Sequence, residues 1–425
     1  MEQAPKHIVV IGGGFAGLNL LLRLGNRPGY LVTLVDKNNY NFFPPLLYQV
    51  ATGFLDPSSI CYPFRLFLRG KKNVRFRMAA LSKVVPAENK VILSNGELYY
   101  DYLVLATGAE SNFFGINSVA ANTIPMKTMS DALFMRNALL ERLEEACRSQ
   151  DLARMDTLAT IVIAGAGPTG VELAGMFAEM RKNIVAKDYP ELTGKRIGGI
   201  YLVDALQTVL APMSGKSQHY ARTTLEKMGV RLKLGVGVRS YDAEEVLFSD
   251  GTSINAGTLI WAAGVKAQSF EGLSPATYGR GGRMTVDDFN RVLDSDNIFA
   301  LGDTCYQITD PAFPNGHPQL AQVAIQQARN LGDNLLRQPD NWRPFRYRDK
   351  GSMAIIGRNK AVADITHPRM HFNGIMAWLA WAFIHVMSLL NFRNRLRTIS
   401  NWGVTYFTKD QYFRMILEPD EKPKN

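Results

Sequence analysis

Cysteine is scarce in this 425-residue chain. There are three, Cys61, Cys147 and Cys305, and none is spaced as C-x-x-C. A disulfide framework is not expected from such a set, and a reducing compartment is the default. Thiol–disulfide chemistry lacks the paired cysteines it needs. Low-complexity segments are absent, as is any EF-hand loop, and no metal site is expected. The first apolar run after Lys6 is interrupted by four glycines within six residues, so it reads as a strand and no targeting segment is expected. Acidic residues are missing altogether from Ile365 to Lys409, a stretch with five basic residues and three of the five tryptophans.

The length suits two or three domains at about 150 residues each. The net charge of +10 suits phosphate-bearing cofactors, nucleic acid or an anionic membrane surface. The glycines carry more information. Ile8–Ile11 is a β-branched run expected in a strand buried on both faces. Gly12-Gly13-Gly14-Phe15-Ala16-Gly17 follows, then an apolar helix closed by Gly25, then a strand Tyr30–Val35 ending in Asp36. This is G-x-G-x-x-G in its βαβ setting. Gly12 suits the tight turn, Gly14 the approach of a pyrophosphate, and Gly17 close helix–strand packing. Asp36 suits ribose hydroxyls, and the helix N-terminus suits phosphate. The candidate contacts are Gly12, Gly14, Phe15, Ala16, Gly17, Asp36 and Lys37.

The pattern returns at Thr160–Ala164, Gly165-Ala166-Gly167-Pro168-Thr169-Gly170 and a helix read over 171–181. Its next strand, Gly199–Val203, ends in Asp204. The added length lies in 182–196, expected to be a helix extension and loop. Gly165, Gly167, Thr169, Gly170 and Asp204 are the candidates here. An acid at this strand end disfavours a 2′-phosphate, and Ala205-Leu206-Gln207 supplies no arginine, so NADH is expected rather than NADPH. Asp204 as a merely solvated loop acid is the alternative. Two further turns complete the order. Tyr102–Leu105 runs into Ala106-Thr107-Gly108, and Leu259–Ala263 runs into Gly264. Ile298–Leu301 ends in Gly302-Asp303, where the backbone can approach a flavin and Asp303 can accept from a ribityl hydroxyl.

This order resembles two-dinucleotide flavoproteins of the glutathione reductase type. The resemblance implies FAD at the first loop, at Ala106-Thr107-Gly108 and at Gly302-Asp303. It implies NADH at the second loop, in a domain inserted within the first. Leu320-Ala321-Gln322-Val323-Ala324-Ile325-Gln326-Gln327 resembles the A-Q-x-A-x-Q motif of type II NADH dehydrogenases, the single-subunit NADH:quinone oxidoreductases. Gln322 and Gln326, four apart, share a helix face and can offer amide donors to a quinone; an ordinary polar helix face is the alternative. The segment Asn41–Gly53 is similar to the same family's P-L-L-Y-Q-V-A-T-G and adds Gln49 to the quinone candidates. Gly351–Gly357 is also similar. Asp204 departs from the family, in which many members carry Glu.

The uncharged stretch 374–391 is at the lower limit for a membrane span. Trp378, Trp381, His385 and Ser388 recur at helical spacing and are expected to form one amphipathic face. Arg393, Arg395 and Arg397 follow, suited to anionic headgroups. A second segment, 396–416, carries Ile399, Trp402, Tyr406, Phe407 and Phe413. Together these read as a monotopic anchor; a buried helix pair or a subunit interface is the alternative.

The expected fold is α/β, with two Rossmann-like dinucleotide-binding domains, the second inserted in the first, and a C-terminal amphipathic helical membrane anchor. The expected boundaries are 1–115 and 271–340 for FAD, 116–270 for NADH and 341–425 for the anchor. The expected activity is FAD-dependent oxidation of NADH with two-electron reduction of a membrane quinone, without proton pumping. It is placed on the cytoplasmic face of the cell membrane, with no nucleic-acid partner; a homodimer fits equally. The resemblance gives Glu172, just after Gly170, a catalytic role coupling NADH and quinone events as a proton relay. A carboxylate that merely stabilises the helix N-terminus is the alternative. A soluble NADH-dependent reductase of a small redox protein is the competing activity, and it has no need of the Trp- and Arg-rich tail.

Overall fold

The run Ile8–Ile11 has no polar side chain to offer either face, and it becomes the middle strand of a parallel sheet. The structure is a computed structural model that describes residues 4–193, 195, 197–410 and 414–417. In chain order its first relevant elements are β1 (Lys6–Ile11), α1 (Phe15–Leu24), β2 (Tyr30–Asp36), α2 (Leu47–Ala51), β3 (Val74–Met78) and β4 (Tyr102–Leu105). Then come β5 (Ile124–Pro125), α3 (Met129–Arg148), β6 (Ile161–Ala164), α4 (Pro168–Met180), β7 (Ile200–Asp204), β8 (Val230–Leu234) and β9 (Thr258–Trp261). The last are β10 (Ile298–Ala300), α5 (Ala321–Leu335), β11 (Ser352–Gly357), β12 (Lys360–Ile365), β13 (Met370–Asn373), α6 (Gly374–Ser388) and α7 (Phe392–Thr408).

The chain forms two compact units. The first holds the described residues up to Phe42, with Tyr62–Glu110 and Val265–Asp349. Its five-stranded sheet has the order β10-β4-β1-β2-β3. Every pair is parallel, with Ile8 opposite both Val32 and Tyr102. Helices α1 and α5 bury Leu20, Leu21, Leu24, Leu331 and Leu335 in the core below it. The second unit holds Phe43–Cys61, Ser111–Gly264 and the described residues from Lys350 on. Its sheet repeats the layout as β5-β9-β6-β7-β8, again all parallel. The strands of this second sheet fall, in sequence, between β4 and β10 of the first. The second dinucleotide-type fold is thus inserted in the first. Of the expected tail, 341–425, residues 341–349 fall in the first unit and the described residues from 350 on in the second, where β11, β12 and β13 form an antiparallel sheet and α6 packs against β12.

Two local expectations change, at the start of α4 and in the stretch 374–391, while the helix extension expected after α4 is present. Helix α4 starts at Pro168 rather than at Val171, because a proline at the first helical position lacks only an N–H that has no helical partner there. After it, Arg181–Val185 makes a π-helical turn and Ala186–Asp188 a short helix, while Arg196 lies outside the described residues. The uncharged stretch 374–391 forms a helix of only 15 residues, about 22 Å long against a bilayer core of about 30 Å. Among the described residues no helix is long and apolar enough to cross a membrane. Phe413 lies outside the described residues.

Candidate functional site: two dinucleotide cradles and a buried acid

In the first unit Gly12 turns the chain at φ +102°. A Cβ there would lie 2.3 Å from the Ala106 carbonyl oxygen, so only glycine lets the loop pass the end of β4. A Cβ on Gly17 would lie 2.0 Å from the Gly12 oxygen, which lets α1 close down on the loop. Gly14 instead faces open space, with nothing within 4 Å of its Cβ position, and it begins α1 with no side-chain cap. Ala16 is buried, Phe15 is half-buried at the start of the helix and Lys37 is exposed. Asp36 does not simply point to solvent. Its carboxylate accepts from the Gly13 N–H at 2.7 Å and from the Asn38 N–H at 2.8 Å, and Asn41 donates to the Gly13 carbonyl at 2.8 Å. Burial raises the Asp36 pKa, and the two N–H groups oppose that rise.

The second unit repeats these bonds. Gly165 has φ +105°, and its Cβ would meet the Ala262 oxygen at 2.5 Å. A Cβ on Gly170 would lie 1.7 Å from the Gly165 oxygen. Gly167 faces open space and begins α4 uncapped; Thr169 is exposed on its first turn. Asp204 accepts from the Ala166 N–H at 2.6 Å and the Leu206 N–H at 2.8 Å. The short Asp thus latches loop to strand end in both units, leaving one lone pair per carboxylate oxygen for a ribose. Gly264 accepts from the Asn112 N–H at 3.0 Å, with the Phe114 ring beside it.

The remaining turns of the first unit converge on its cradle. The Thr107 hydroxyl is buried without a partner among the described residues, and Gly108 faces open space at φ +73°. Thr304 donates to the Leu105 carbonyl at 3.1 Å, which joins the Gly302-Asp303 turn to β4. Gly302, at φ +70°, would set a Cβ 3.1 Å from Ala324 on α5 and 3.7 Å from Ala16 on α1. An uncapped helix end beside open backbone and an unpartnered buried hydroxyl is a donor set that fits a dinucleotide, and it sits where FAD is expected. By contrast α3 is fully capped, with Thr128 and Asp131 exchanging bonds.

The glutamines divide. Gln322 and Gln326 share a face of α5 in the first unit, whereas Gln49 lies on α2 in the second. Gln326 donates to the Arg348 carbonyl at 2.9 Å and accepts from the Arg348 N–H at 3.1 Å, so its carbonyl is committed and one amide hydrogen remains. Sequence reasoning passed over the neighbour Gln327, which is buried and accepts from the Gly302 N–H at 2.7 Å. Its place in the motif beside Gln326 was visible; its inward direction was not.

Glu172 sits in the second turn of α4, not the first. It is buried against β11, where the Ile355 N–H is its backbone donor. Removal from water raises its pKa well above that of a free glutamate, which favours the protonated acid. Dipole stabilisation of a first-turn carboxylate does not describe it. On α2, Tyr48 and Gln49 are buried as well, and Trp402 of α7 donates to the Gln49 carbonyl at 2.7 Å. Tyr48 and Trp402 were not among the expected site residues: Tyr48 stands in the segment that supplied Gln49, and Trp402 was read only as part of the anchor.

The C-terminal helices reverse an expectation. Trp381 and His385 do not face outward: Trp381 is buried, stacked on His385 at 4.2 Å and packed at a tilt against Trp402 at 5.4 Å. Burial pushes the His385 imidazole down to about 4, which leaves it neutral. The outer surface is instead apolar, with Ile375, Met376, Leu379, Phe383 and Met387 on α6 and Phe392, Leu396, Ile399 and Phe407 on α7. Arg395 caps the end of α6, donating to Leu389 and Met387 carbonyls, while Arg393 and Arg397 stay exposed. The three thiols are free, and burial raises Cys61 to about 12 and Cys305 to about 11, which makes both poor nucleophiles.

Comparison with known proteins agrees with this construction. The family profile described as pyridine nucleotide-disulphide oxidoreductase matches residues 6–328, and that of the NDH2 C-terminal domain matches 350–409. The chain is 35% identical over 418 residues to type II NADH:quinone oxidoreductase NdhA of Mycobacterium tuberculosis, covering 94% of this chain and 87% of that one. The structure of NDH2 from Plasmodium falciparum in complex with NADH superimposes with a TM-score of 0.88 at 22% identity, covering 97% of this chain and all of that one. Sulfide:quinone oxidoreductase from Aquifex aeolicus superimposes with a TM-score of 0.70 at 20% identity and 95% coverage of each chain. The chain belongs to the pyridine nucleotide-disulphide oxidoreductases and, within them, to the type II NADH:quinone oxidoreductases.

Proposed function

We propose that this chain is an FAD-dependent NADH:quinone oxidoreductase that takes two electrons from NADH to a membrane quinone without pumping protons. The observation that carries the reading is the duplicated cradle, each copy latched by an aspartate and open at an uncapped helix end, in a chain that aligns almost end to end with type II NADH:quinone oxidoreductases. FAD, when bound, supplies the two-electron carrier between nicotinamide and quinone. Residues 1–115 and 271–340 are assigned to it, with Gly12, Gly14, Phe15, Ala16, Gly17, Asp36, Lys37, Ala106, Thr107, Gly108, Gly302 and Asp303 as its contacts. NADH is assigned to 116–270, with Gly165, Gly167, Thr169, Gly170, Asp204 and Gly264. The Asp204 carboxylate accepts ribose hydroxyls there and repels a 2′-phosphate.

Glu172 holds a proton in a dry site and can release it as the quinone is reduced. Gln322, the free amide hydrogen of Gln326, and Gln49 are assigned to the quinone. The outer surfaces of α6 and α7, within 341–425, are assigned to the membrane. Their exposed apolar side chains, with Arg393 and Arg397 between them, suit insertion into one leaflet over anionic headgroups. This surface is placed on the cytoplasmic side, where NADH is available; a homodimer is compatible with it. Steady-state kinetics with a short-chain quinone test the reading: kcat/KM for NADH should exceed that for NADPH at least tenfold, and the reverse preference would overturn the assignment of Asp204.

A further inference from the structure

Away from the nucleotide cradles, the helix Gly215–Lys227 and β13 leave an open cleft of about 490 Å³ between them, all of it within the second unit. That volume falls in the range of small-molecule sites, roughly 300–1,000 Å³. Lys216, His219, Thr223 and Lys227 follow one another at three- or four-residue steps, so they share the helix face that lines the cleft, with Tyr220 beside them. His371 and Asn373 line it from β13. Eleven residues, about 16 Å of helix, separate Lys216 from Lys227, so the cleft runs along the helix with a cation towards each end. Among the described residues, Lys216, His219 and Lys227 have no ion pair or hydrogen bond of their own.

No carboxylate lines the cleft among the described residues. The acids closest to it are committed elsewhere. Glu226 pairs with Arg222 at 3.1 Å, and neither side chain lines the cleft. Asp364 accepts from the Ser214 N–H at 2.7 Å, from the Ser217 hydroxyl at 2.9 Å and from His371 Nδ1 at 2.9 Å. The carboxylate takes the Nδ1 proton, which leaves His371 Nε2 for other partners; the Asn373 amide nitrogen lies 3.4 Å from it. The charge presented to a ligand is therefore positive.

The cleft adjoins the start of the apolar stripe on α6. Asn373 is the residue before that helix, and a Cβ on Gly374, which begins it, would lie 3.6 Å from the Tyr220 hydroxyl. Ile375 and Met376 are exposed in the first turn, and Leu379, Phe383 and Met387 continue the stripe at three- or four-residue steps. A basic cleft at one end of an exposed apolar stripe matches a molecule with an anionic head and an apolar tail. Free phosphate would use the cleft and leave the stripe bare.

We propose that this cleft takes the phosphodiester headgroup of an anionic phospholipid whose acyl chains lie along the exposed stripe of α6. Lys216 and Lys227 supply the opposing charge, and Tyr220, Thr223 and Asn373 offer hydrogen-bonding groups to the headgroup oxygens. A choline headgroup brings its own cation against the two lysines and is disfavoured. This rests on the reading of α6 and α7 as membrane-facing and adds to it a saturable site of defined chemistry.

The test is flotation of the full-length flavoprotein on vesicles of phosphatidylcholine alone and of phosphatidylcholine with phosphatidylglycerol. K216Q/K227Q removes the two lysines of the cleft, and K72Q/K83Q removes the same charge from exposed positions of the first unit. On phosphatidylglycerol vesicles K216Q/K227Q should partition about thirtyfold more weakly than wild type, at about fivefold for each lysine, and K72Q/K83Q should match wild type. On phosphatidylcholine alone the three should float alike. Calorimetry separates lipid from free phosphate. Dihexanoylphosphatidylglycerol, below its micelle concentration, should bind one per chain and about tenfold or more tightly than inorganic phosphate, because its acyl carbons are also buried. K216Q/K227Q should lose that binding. Wild type that floats on neither vesicle overturns the membrane reading and this site with it. Wild type that floats while K216Q/K227Q equals it on phosphatidylglycerol, or while K72Q/K83Q falls as far, leaves the membrane reading standing and overturns the site. Phosphate that binds as tightly as the short lipid overturns the lipid assignment.

Discussion

Replacing Phe383 and Phe407 with serine should detach the chain from membranes while leaving its flavin in place. Phe383 on α6 is 69% exposed and Phe407 on α7 is 82% exposed, so neither contributes much to the folded core. Burial of a phenylalanine side chain is worth roughly 1.5–3 kcal/mol, and at these exposures each ring has about 2 kcal/mol to gain from lipid. The pair should therefore account for about 4 kcal/mol of membrane affinity, which is nearly a thousandfold in the partition coefficient. Flotation with vesicles containing anionic lipid measures this directly. Wild type should float with the vesicles, and the double variant should remain below them. Leu22→Ser is the control: Leu22 is exposed on α1 in the other unit, and its loss should leave flotation unaltered. Equal flotation of the double variant and wild type, at equal flavin content, would refute a membrane role for this surface. Cutting the chain after Asp364 is a poorer test, because it also removes β13, which pairs with β12, and His371, which is hydrogen-bonded to Asp364, and so disturbs the second unit.

Gly12→Ala should abolish flavin retention and cost roughly 3 kcal/mol or more of stability, since its Cβ would lie 2.3 Å from the Ala106 oxygen at a positive φ; flavin absorbance and thermal melting read both. Asp204→Ala should raise the KM for NADH and, by removing the latch on Ala166, narrow the preference over NADPH; an unchanged ratio of kcat/KM values counts against a ribose contact. E172Q should keep FAD and NADH binding but lower turnover with quinone at least tenfold, and undiminished turnover removes Glu172 from the mechanism. The same variant has a stability signature. Glu172 is raised in the folded chain above its free value of 4.5, so the unfolded chain loses that proton first. The protonated acid contributes fully below pH 4.5, and wild-type stability is lost as pH rises from there through the folded value. E172Q should therefore gain in melting temperature relative to wild type as pH rises above 4.5, with the gap widening until the folded-state pKa is passed.

The nucleotide cradles were legible because their chemistry is local. Gly12 and Gly165 must turn where they do, and strand, loop, helix and acid arrive within a few dozen residues. The aspartates were only half legible: their position suggested a ribose contact, but not the bond back to Gly13 and Ala166, which depends on how the loop folds over the strand end. The helix face of Gln322 and Gln326 was legible as a periodicity, yet Arg348 takes most of Gln326, and Gln327 turns inward to hold Gly302. Least legible was the outer surface of α6. Spacing alone grouped Trp378, Trp381, His385 and Ser388, but it could not say whether that face meets lipid or α7. Packing of Trp381 on Trp402 decides it and turns Phe383 outward. The grip of Asn394 on Ser59 and of Trp402 on Gln49 joins segments no local pattern relates.

The most direct test of the account is an anaerobic titration of the purified full-length chain. Its flavin spectrum should bleach with one equivalent of NADH and return with one equivalent of a short-chain quinone, yielding one quinol for each NADH consumed. A chain that bleaches with NADH but is not reoxidised by quinone, or that carries no flavin, would contradict it.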